Sequence, residues 1–250
     1  MTNPMDLTGK RVVVTGASSG IGRACAILAS QLGATVVLIA RDEKRLDQTM
    51  SQMSGVGHSA VPYDLSDLEH YEELFKRCAS DQKLNGIVHA AGICPVMPLQ
   101  SLTPAAMRKV MTLNYFSFLE LARYFSKKKV SDGGSMVAIS SVSAQAGWLG
   151  GTLYCGSKGA LDASIRALAL ELAAKKIRVN SVVPSNIRTP MLEEMISVAG
   201  AEAEKEIHVR QPLGIGDPSD VAHAVVFLLS DAAKFISGTN LVVDGGYLAQ

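Results

Sequence analysis

Short apolar runs alternate along this chain with longer segments whose apolar residues recur every three or four positions. The first run, Arg11–Thr15 (RVVVT), is rich in β-branched residues and reads as a buried strand. Glycine-rich punctuation follows, then Gly20–Leu32, where Ile21, Ala24, Cys25 and Leu28 fall at helical spacing. The same pattern predicts strands at Ala34–Ala40, His58–Tyr63, Asn85–Ala91, Ser135–Ser141, Ile177–Val183 and Asn240–Val243. Between them it predicts helices over Asp42–Met53, over Ser66–Ala79 with Ser66 as N-cap, and over Gly151–Ala174 and Pro218–Ser230. A long helix is expected from Thr103 to about Lys128, opened by Pro104. Residues 185–215 read as irregular or partly helical.

Strands separated by helices pair in parallel through right-handed crossovers. Near-continuous apolar strands imply that both sheet faces are covered. No linker or internal repeat interrupts the 250 residues. The expected fold class is therefore α/β: a doubly wound, seven-stranded parallel sheet flanked by helices, forming one domain over residues 1–250.

Composition narrows the function classes. Hydrophobic residues make up 48% and charged residues 19%, enough for a large aliphatic core. The net charge of +1 offers no field for nucleic acid, and the densest basic run, Lys127–Lys129, sits where a helix C-terminus favours cations. No stretch is long and apolar enough for a membrane span, and Met1–Lys10 has no apolar signal core. Cys25, Cys78, Cys94 and Cys155 show neither CxxC nor metal spacing. These features read as a cytoplasmic protein with no metal, membrane or nucleic-acid partner.

The first strand runs straight into Thr15-Gly16-Ala17-Ser18-Ser19-Gly20-Ile21-Gly22. Bare amides at the start of a helix attract a pyrophosphate. Gly16 suits the tight turn, Gly20 a close backbone approach, and Gly22 the packing of helix on sheet. The spacing is GxxxGxG, and alone it could be an ordinary turn. At the tip of the second strand an acidic residue would hold the ribose 2′-OH of NAD. This strand ends at Ala40 and is followed by Arg41, a planar donor suited to a 2′-phosphate. Asp42, one position later, suits a helix cap. The expected cofactor is NADP (NADPH), with NAD the alternative.

Tyr154 and Lys158 stand at i and i+4 on the predicted 151–174 helix and share a face. A neighbouring ammonium is expected to stabilise the phenolate and lower the tyrosine pKa toward the working range of an acid–base group. Ser141 ends the fifth strand, where a hydroxyl can hold a carbonyl oxygen beside the phenol.

With TGASSGIG at Thr15–Gly22, HAAG at His89–Gly92, Asn114, ISS at Ile139–Ser141, YCGSK at Tyr154–Lys158 and Pro184 in order, the chain resembles the single-domain short-chain dehydrogenase/reductases. The likeness runs to SGTNLVVDGG at Ser237–Gly246, and its closest general form is the 3-oxoacyl-carrier-protein reductases. The resemblance implies a Rossmann fold and hydride transfer between NADP(H) and a small carbonyl or alcohol. It implies that Tyr154 is the acid in reduction and the base in oxidation. Lys158 would lower its pKa and hold the nicotinamide ribose, Ser141 would polarise the carbonyl, and Asn114 would hold a water linking Lys158 to solvent. Gly16, Ser18, Ser19, Gly20, Ile21 and Gly22 would carry the phosphates. Asp64 and Leu65 would meet the adenine, Ala90 to Gly92 the adenosine side, and Pro184, Ile187 and Thr189 the nicotinamide and phosphates.

Two positions depart from the family pattern. His89 replaces an asparagine and is expected to be a buried, neutral support of the sheet, bonded to backbone. Ser185 replaces a glycine after Pro184 and could shift the loop or add a hydroxyl near the nicotinamide. Residues 185–212 would form a substrate lid carrying Met191, Leu192, Met195 and Ile196. Pro95, Val96, Met97, Ser143, Gln145 and Trp148 are expected around a moderately apolar substrate, with Arg188 or Arg210 available to a carboxylate. A homotetramer or homodimer would pair the 103–128 and 151–174 helices across a two-fold axis. The alternatives left open are a non-catalytic nucleotide-binding or scaffold protein of the same fold, and a sugar or steroid dehydrogenase.

Overall fold

The computed structural model describes residues 3–199 and 201–250. Among them the apolar runs become seven strands: β1 (Arg11–Thr15), β2 (Thr35–Ala40), β3 (Ser59–Pro62), β4 (Gly86–His89), β5 (Gly134–Ile139), β6 (Ile177–Pro184) and β7 (Asn240–Val243). Every neighbouring pair is parallel, in the order β3-β2-β1-β4-β5-β6-β7. The helices are α1 (Gly20–Gln31), α2 (Glu43–Met50), α3 (Tyr71–Cys78), α4 (Pro104–Met111), α5 (Ser117–Phe125), α6 (Thr152–Ala173), α7 (Pro190–Ala199), α8 (Ala201–Arg210) and α9 (Pro218–Leu229).

The strand period of two divides the core in half. On β1, Val13 joins Tyr71 and Phe75 of α3, Phe118 and Leu121 of α5, and Leu161 and Ile165 of α6. Val12 and Val14 point the other way, into Cys25 and Ala29 of α1, Leu46 of α2, and Val221 and Val225 of α9. Small side chains on α1 let it lie close to the sheet. The chain reverses its winding between β1 and β4, so a crevice opens beyond the carboxyl ends of these two strands.

Two local expectations are corrected. The long helix from Thr103 is broken: α4 and α5 are joined by a π turn at Thr112–Phe116. That wider turn coincides with Asn114, whose buried side chain bonds to Ile93 and Ser157 outside the helix. Such turns concentrate at functional sites, and hydrophobic period alone does not reveal them. The third helix starts at Tyr71, not Ser66, because the intervening amides are taken by aspartates: Asp64 accepts from Ser66 N and Asp67 from Glu69 N. The segment after β6, read as irregular or partly helical, holds two helices, α7 and α8.

Phe118 is fully buried and stacks at 5.7 Å on the His89 ring, at the joint between β4 and the π turn. Phe118→Ala should cost about 3–5 kcal/mol of stability, measured by urea denaturation, because the cavity is walled by rigid strands.

Candidate active site

The loop between β1 and α1 is built from contacts that only small residues permit. Gly16 has φ +65°, and a Cβ there would lie 2.8 Å from the backbone of Ala90. A Cβ on Gly22 would lie 2.3 Å from the Gly16 carbonyl oxygen. Ser19 is the N-cap of α1 but makes no side-chain cap bond, so the first amides of the helix face the crevice uncapped. Arg23 and Thr49 hold the loop in place: Arg23 Nη2 donates to Ser18 O at 2.6 Å and Thr49 Oγ1 donates to Ala17 O at 2.9 Å. Sequence reading missed both, since their partners are brought in by the fold.

One cleft of about 1450 Å³ runs from this loop across the strand tips. Its walls include Gly16, Ser18, Ser19, Gly20, Ile21, Gly22, Arg41, Asp64, Leu65, Ala90, Gly92, Ser141, Tyr154, Lys158, Pro184, Ile187 and Thr189. The sequence-predicted residues are thus gathered in one place, except Asn114, which stands behind the wall. The glycine cradle, the uncapped helix start and the length of the cleft fit a dinucleotide.

Arg41 and Arg45 both line the end of the cleft beside β2. Asp42, between them, turns its carboxylate onto Arg45 N at 3.1 Å as the cap of α2. Among the described residues no ion pair engages either guanidinium. Arg45 was not foreseen; it stands at the same end of the cleft as Arg41.

At the other end Ser141, Tyr154 and Lys158 converge. Lys158 is 5% exposed, and its Nζ donates to the Ile139 carbonyl at 2.8 Å. The ammonium lies 5.7 Å from the centre of the Tyr154 ring. Ser141 Oγ accepts from Ser143 N at 3.1 Å and stands beside the Tyr154 hydroxyl. Burial pulls the Lys158 amine down to about 8, opposed by the nearby Asp162 carboxylate. Burial also pushes the Tyr154 phenol above its usual value, and the neighbouring Ser141 hydroxyl opposes that rise. The lowering expected from Lys158 does not emerge at this separation, and burial holds the phenol protonated.

Asn114 does not project into the cleft. Its Oδ1 accepts from Ile93 N and its Nδ2 donates to Ile93 O and Ser157 Oγ, each at 3.0 Å. Both amide protons are committed, so the side chain braces Gly92–Ile93 against α6 where Lys158 projects.

His89 is buried, and burial, reinforced by Lys158, drives its pKa down to about 3. Its side-chain partners are Thr15 Oγ1 at 3.1 Å and Ser117 Oγ at 3.4 Å, and the Asn114 backbone adds a weaker contact. Thr15 Oγ1 accepts from Ala90 N and Ala91 N, so its proton goes to His89 Nδ1. The other ring nitrogen then donates to Ser117, which donates to Leu113 O in the π turn. The imidazole thus ties the phosphate loop to the brace around Asn114.

The substrate end is lined by Cys94, Val96, Ser143, Trp148, Met191, Leu192, Met195 and Arg210. Pro95, Met97, Gln145, Ile196 and Arg188 do not line it; Met97 instead bonds its amide to the Gly150 carbonyl. Ser185 does line it, with its hydroxyl accepting from Asn186 Nδ2 at 3.3 Å. Gln211 was missed: buried at the end of α8, it accepts from Asn186 N and donates to Asn186 O and Gly214 O, anchoring both ends of the 185–212 segment. Tyr247, near the C-terminus, also reaches the cleft.

The whole chain is similar to known proteins. A family model described as enoyl-(acyl carrier protein) reductase matches residues 16–248. L-xylulose reductase of Mus musculus is 32% identical, covering 98% of this chain and 99% of that protein. A provisionally assigned NAD(P)-dependent gluconate 5-dehydrogenase of Beutenbergia cavernae, solved with NADP at low occupancy, superposes with a TM-score of 0.90 at 33% identity, covering 99% of this chain and all of that one. A 7α-hydroxysteroid dehydrogenase solved with NADH and 7-oxo glycochenodeoxycholic acid gives 0.91 at 31% identity, with 98% of each chain covered.

The depressed His89 pKa sets an acid limit on stability. Below pH 6.5 an unfolded histidine takes a proton that the folded site refuses down to about 3, so stability falls as pH falls through that window. By pH 4.5 the loss from this group should be about 2–3 kcal/mol. His89→Asn should flatten the pH 7 to 4.5 difference in unfolding free energy, measured by urea titration, by that amount.

Proposed function

Because the chain belongs to the short-chain dehydrogenase/reductase family of NAD(P)-dependent, hydride-transferring oxidoreductases, we propose that it is an NADPH-preferring reductase of moderately apolar carbonyl compounds, 3-oxoacyl thioesters among them. The observation that carries this reading is the convergence of Ser141, Tyr154 and Lys158 at the inner end of the glycine-rich cleft. NADPH, when bound, supplies the hydride. Gly16, Ser18, Ser19, Gly20, Ile21 and Gly22 would hold its pyrophosphate, Asp64, Leu65, Ala90 and Gly92 its adenosine, and Pro184, Ile187 and Thr189 its nicotinamide end. Arg41, with Arg45, would pair with the 2′-phosphate, and Asp42, whose carboxylate caps α2, is turned toward the Arg45 amide.

Tyr154 gives its hydroxyl proton to the carbonyl oxygen as that oxygen becomes an alkoxide, a base stronger than phenolate. Ser141 donates a hydrogen bond to the same oxygen and stabilises the charge developing there. Lys158 holds positive charge beneath the phenolate left behind and would bond the nicotinamide ribose. Asn114, braced between Ile93 and Ser157, fixes the wall through which a water would return a proton to Lys158. Trp148, Met191, Leu192 and Met195 favour an apolar body on the substrate.

Localisation in the cytoplasm and assembly as a homotetramer or homodimer complete the reading. Apolar side chains exposed at Met107 and Phe116 around α4, Leu170 on α6 and Val242 on β7 support association. No helix among the described residues is long and apolar enough to cross a membrane.

Tyr154→Phe should lower kcat about 10²–10⁴-fold in an NADPH-coupled carbonyl screen while leaving NADPH affinity largely intact. Wild-type turnover by that variant contradicts the assignment. Arg41→Ala should weaken NADPH about 10–100-fold and leave NADH unchanged, read by fluorescence titration of both; equal losses would remove the 2′-phosphate role.

A further inference from the structure

Two buried side-chain atoms among the described residues have no hydrogen-bond partner: Oδ2 of Asp162 and Oγ of Ser140. Both flank Lys158. Ser140 follows Ile139, whose carbonyl receives the Lys158 ammonium. Asp162 stands one turn beyond Lys158 on the same buried face of α6, at 7% exposure. Its Oδ1 accepts from Ser181 Oγ at 3.0 Å. In the β5–β6 ladder Ala138 pairs with Ser181 and Ile139 with Val182. The two charged side chains are therefore moored on adjacent rungs of one ladder, about 6 Å apart at their Cβ atoms, without touching as an ion pair.

A half-bonded carboxylate in a protein interior is costly. An asparagine would keep the Ser181 contact without the charge, so packing alone gives no reason for an acid here. We propose that Asp162 is a positioning residue of the reaction: moored by Ser181, its carboxylate is the buried counter-charge that keeps Lys158 an ammonium beneath Tyr154. The inference rests on the reading of Lys158 as the cation of the active site.

The other groups facing Lys158 cannot take this part. Tyr154 on α6 is held protonated by burial. Cys94, on the segment after β4, is pushed up to about 12, again by burial. His89, at the tip of β4, is neutral. Asp162 is the carboxylate that raises the Lys158 amine against its burial.

The test follows kcat for carbonyl reduction and NADPH affinity of the full-length protein from about pH 6 to 10, in wild type, Asp162→Asn and Asp162→Glu. With Asn, the alkaline limb of both profiles should move down by about one pH unit, so that kcat at pH 8.5 falls several-fold further than at pH 6.5. Glu should restore the wild-type limb. A folded Asn variant whose limb does not move, or a Glu variant that behaves like Asn, overturns the proposal whatever either does to melting temperature. Should the Asn variant not fold, Asp162→Ser, smaller and equally neutral, carries the same expectation and the same refutation. An inactive Tyr154→Phe beside an unmoved Asn profile sinks only this inference. An active Tyr154→Phe sinks the acid assignment, and the NADPH-affinity limb still reports on Asp162.

Discussion

The site is organised around one buried ammonium. Lys158 enters the interior from α6, bonds the Ile139 carbonyl and lies under the Tyr154 ring. A charge so placed is tolerated only where dipoles and an opposite charge meet it. Here they come from the Ile139 carbonyl at the end of β5 and from Asp162. The parallel sheet makes this possible, because it delivers the ends of β4, β5 and β6 to one edge while α6 crosses over them.

The glycine cradle and the acid–base group are opposite ends of one cleft, and His89 connects what supports them. Through Thr15 it reaches the backbone of Ala90 and Ala91; through Ser117 it reaches the π turn. A neutral imidazole can give one hydrogen bond and take another, which is the pattern these two hydroxyls require. Its neutrality follows from burial and from Lys158 nearby, so the same ammonium also fixes the charge state of the joint.

The sheet is legible in the sequence because each strand is a short β-branched run buried on both faces, and strand–helix alternation leaves little choice of topology. Gly16, Ser141, Tyr154 and Lys158 are legible for a different reason: their spacing encodes a turn, a strand end and a helix face, all local properties. What escapes is set by contacts distant in sequence. The π turn at Thr112–Phe116 keeps the apolar period of a helix and betrays itself only through the partners of Asn114. Arg23, Thr49, Arg45, Gln211 and Asp162 carry no local signal, since each acts on a residue brought to it by the fold. The direction of the Tyr154 pKa escapes too, because spacing reveals the neighbouring lysine but not the burial that governs the phenol.

The most direct test of the buried ammonium needs no substrate. In protein labelled with ¹³C at the lysine Cε, a pH titration by NMR should show one resonance with a midpoint near 8, and Lys158→Met should remove it. If every lysine titrates at the ordinary value of about 10.4, Lys158 is solvated and the organisation described around it is wrong.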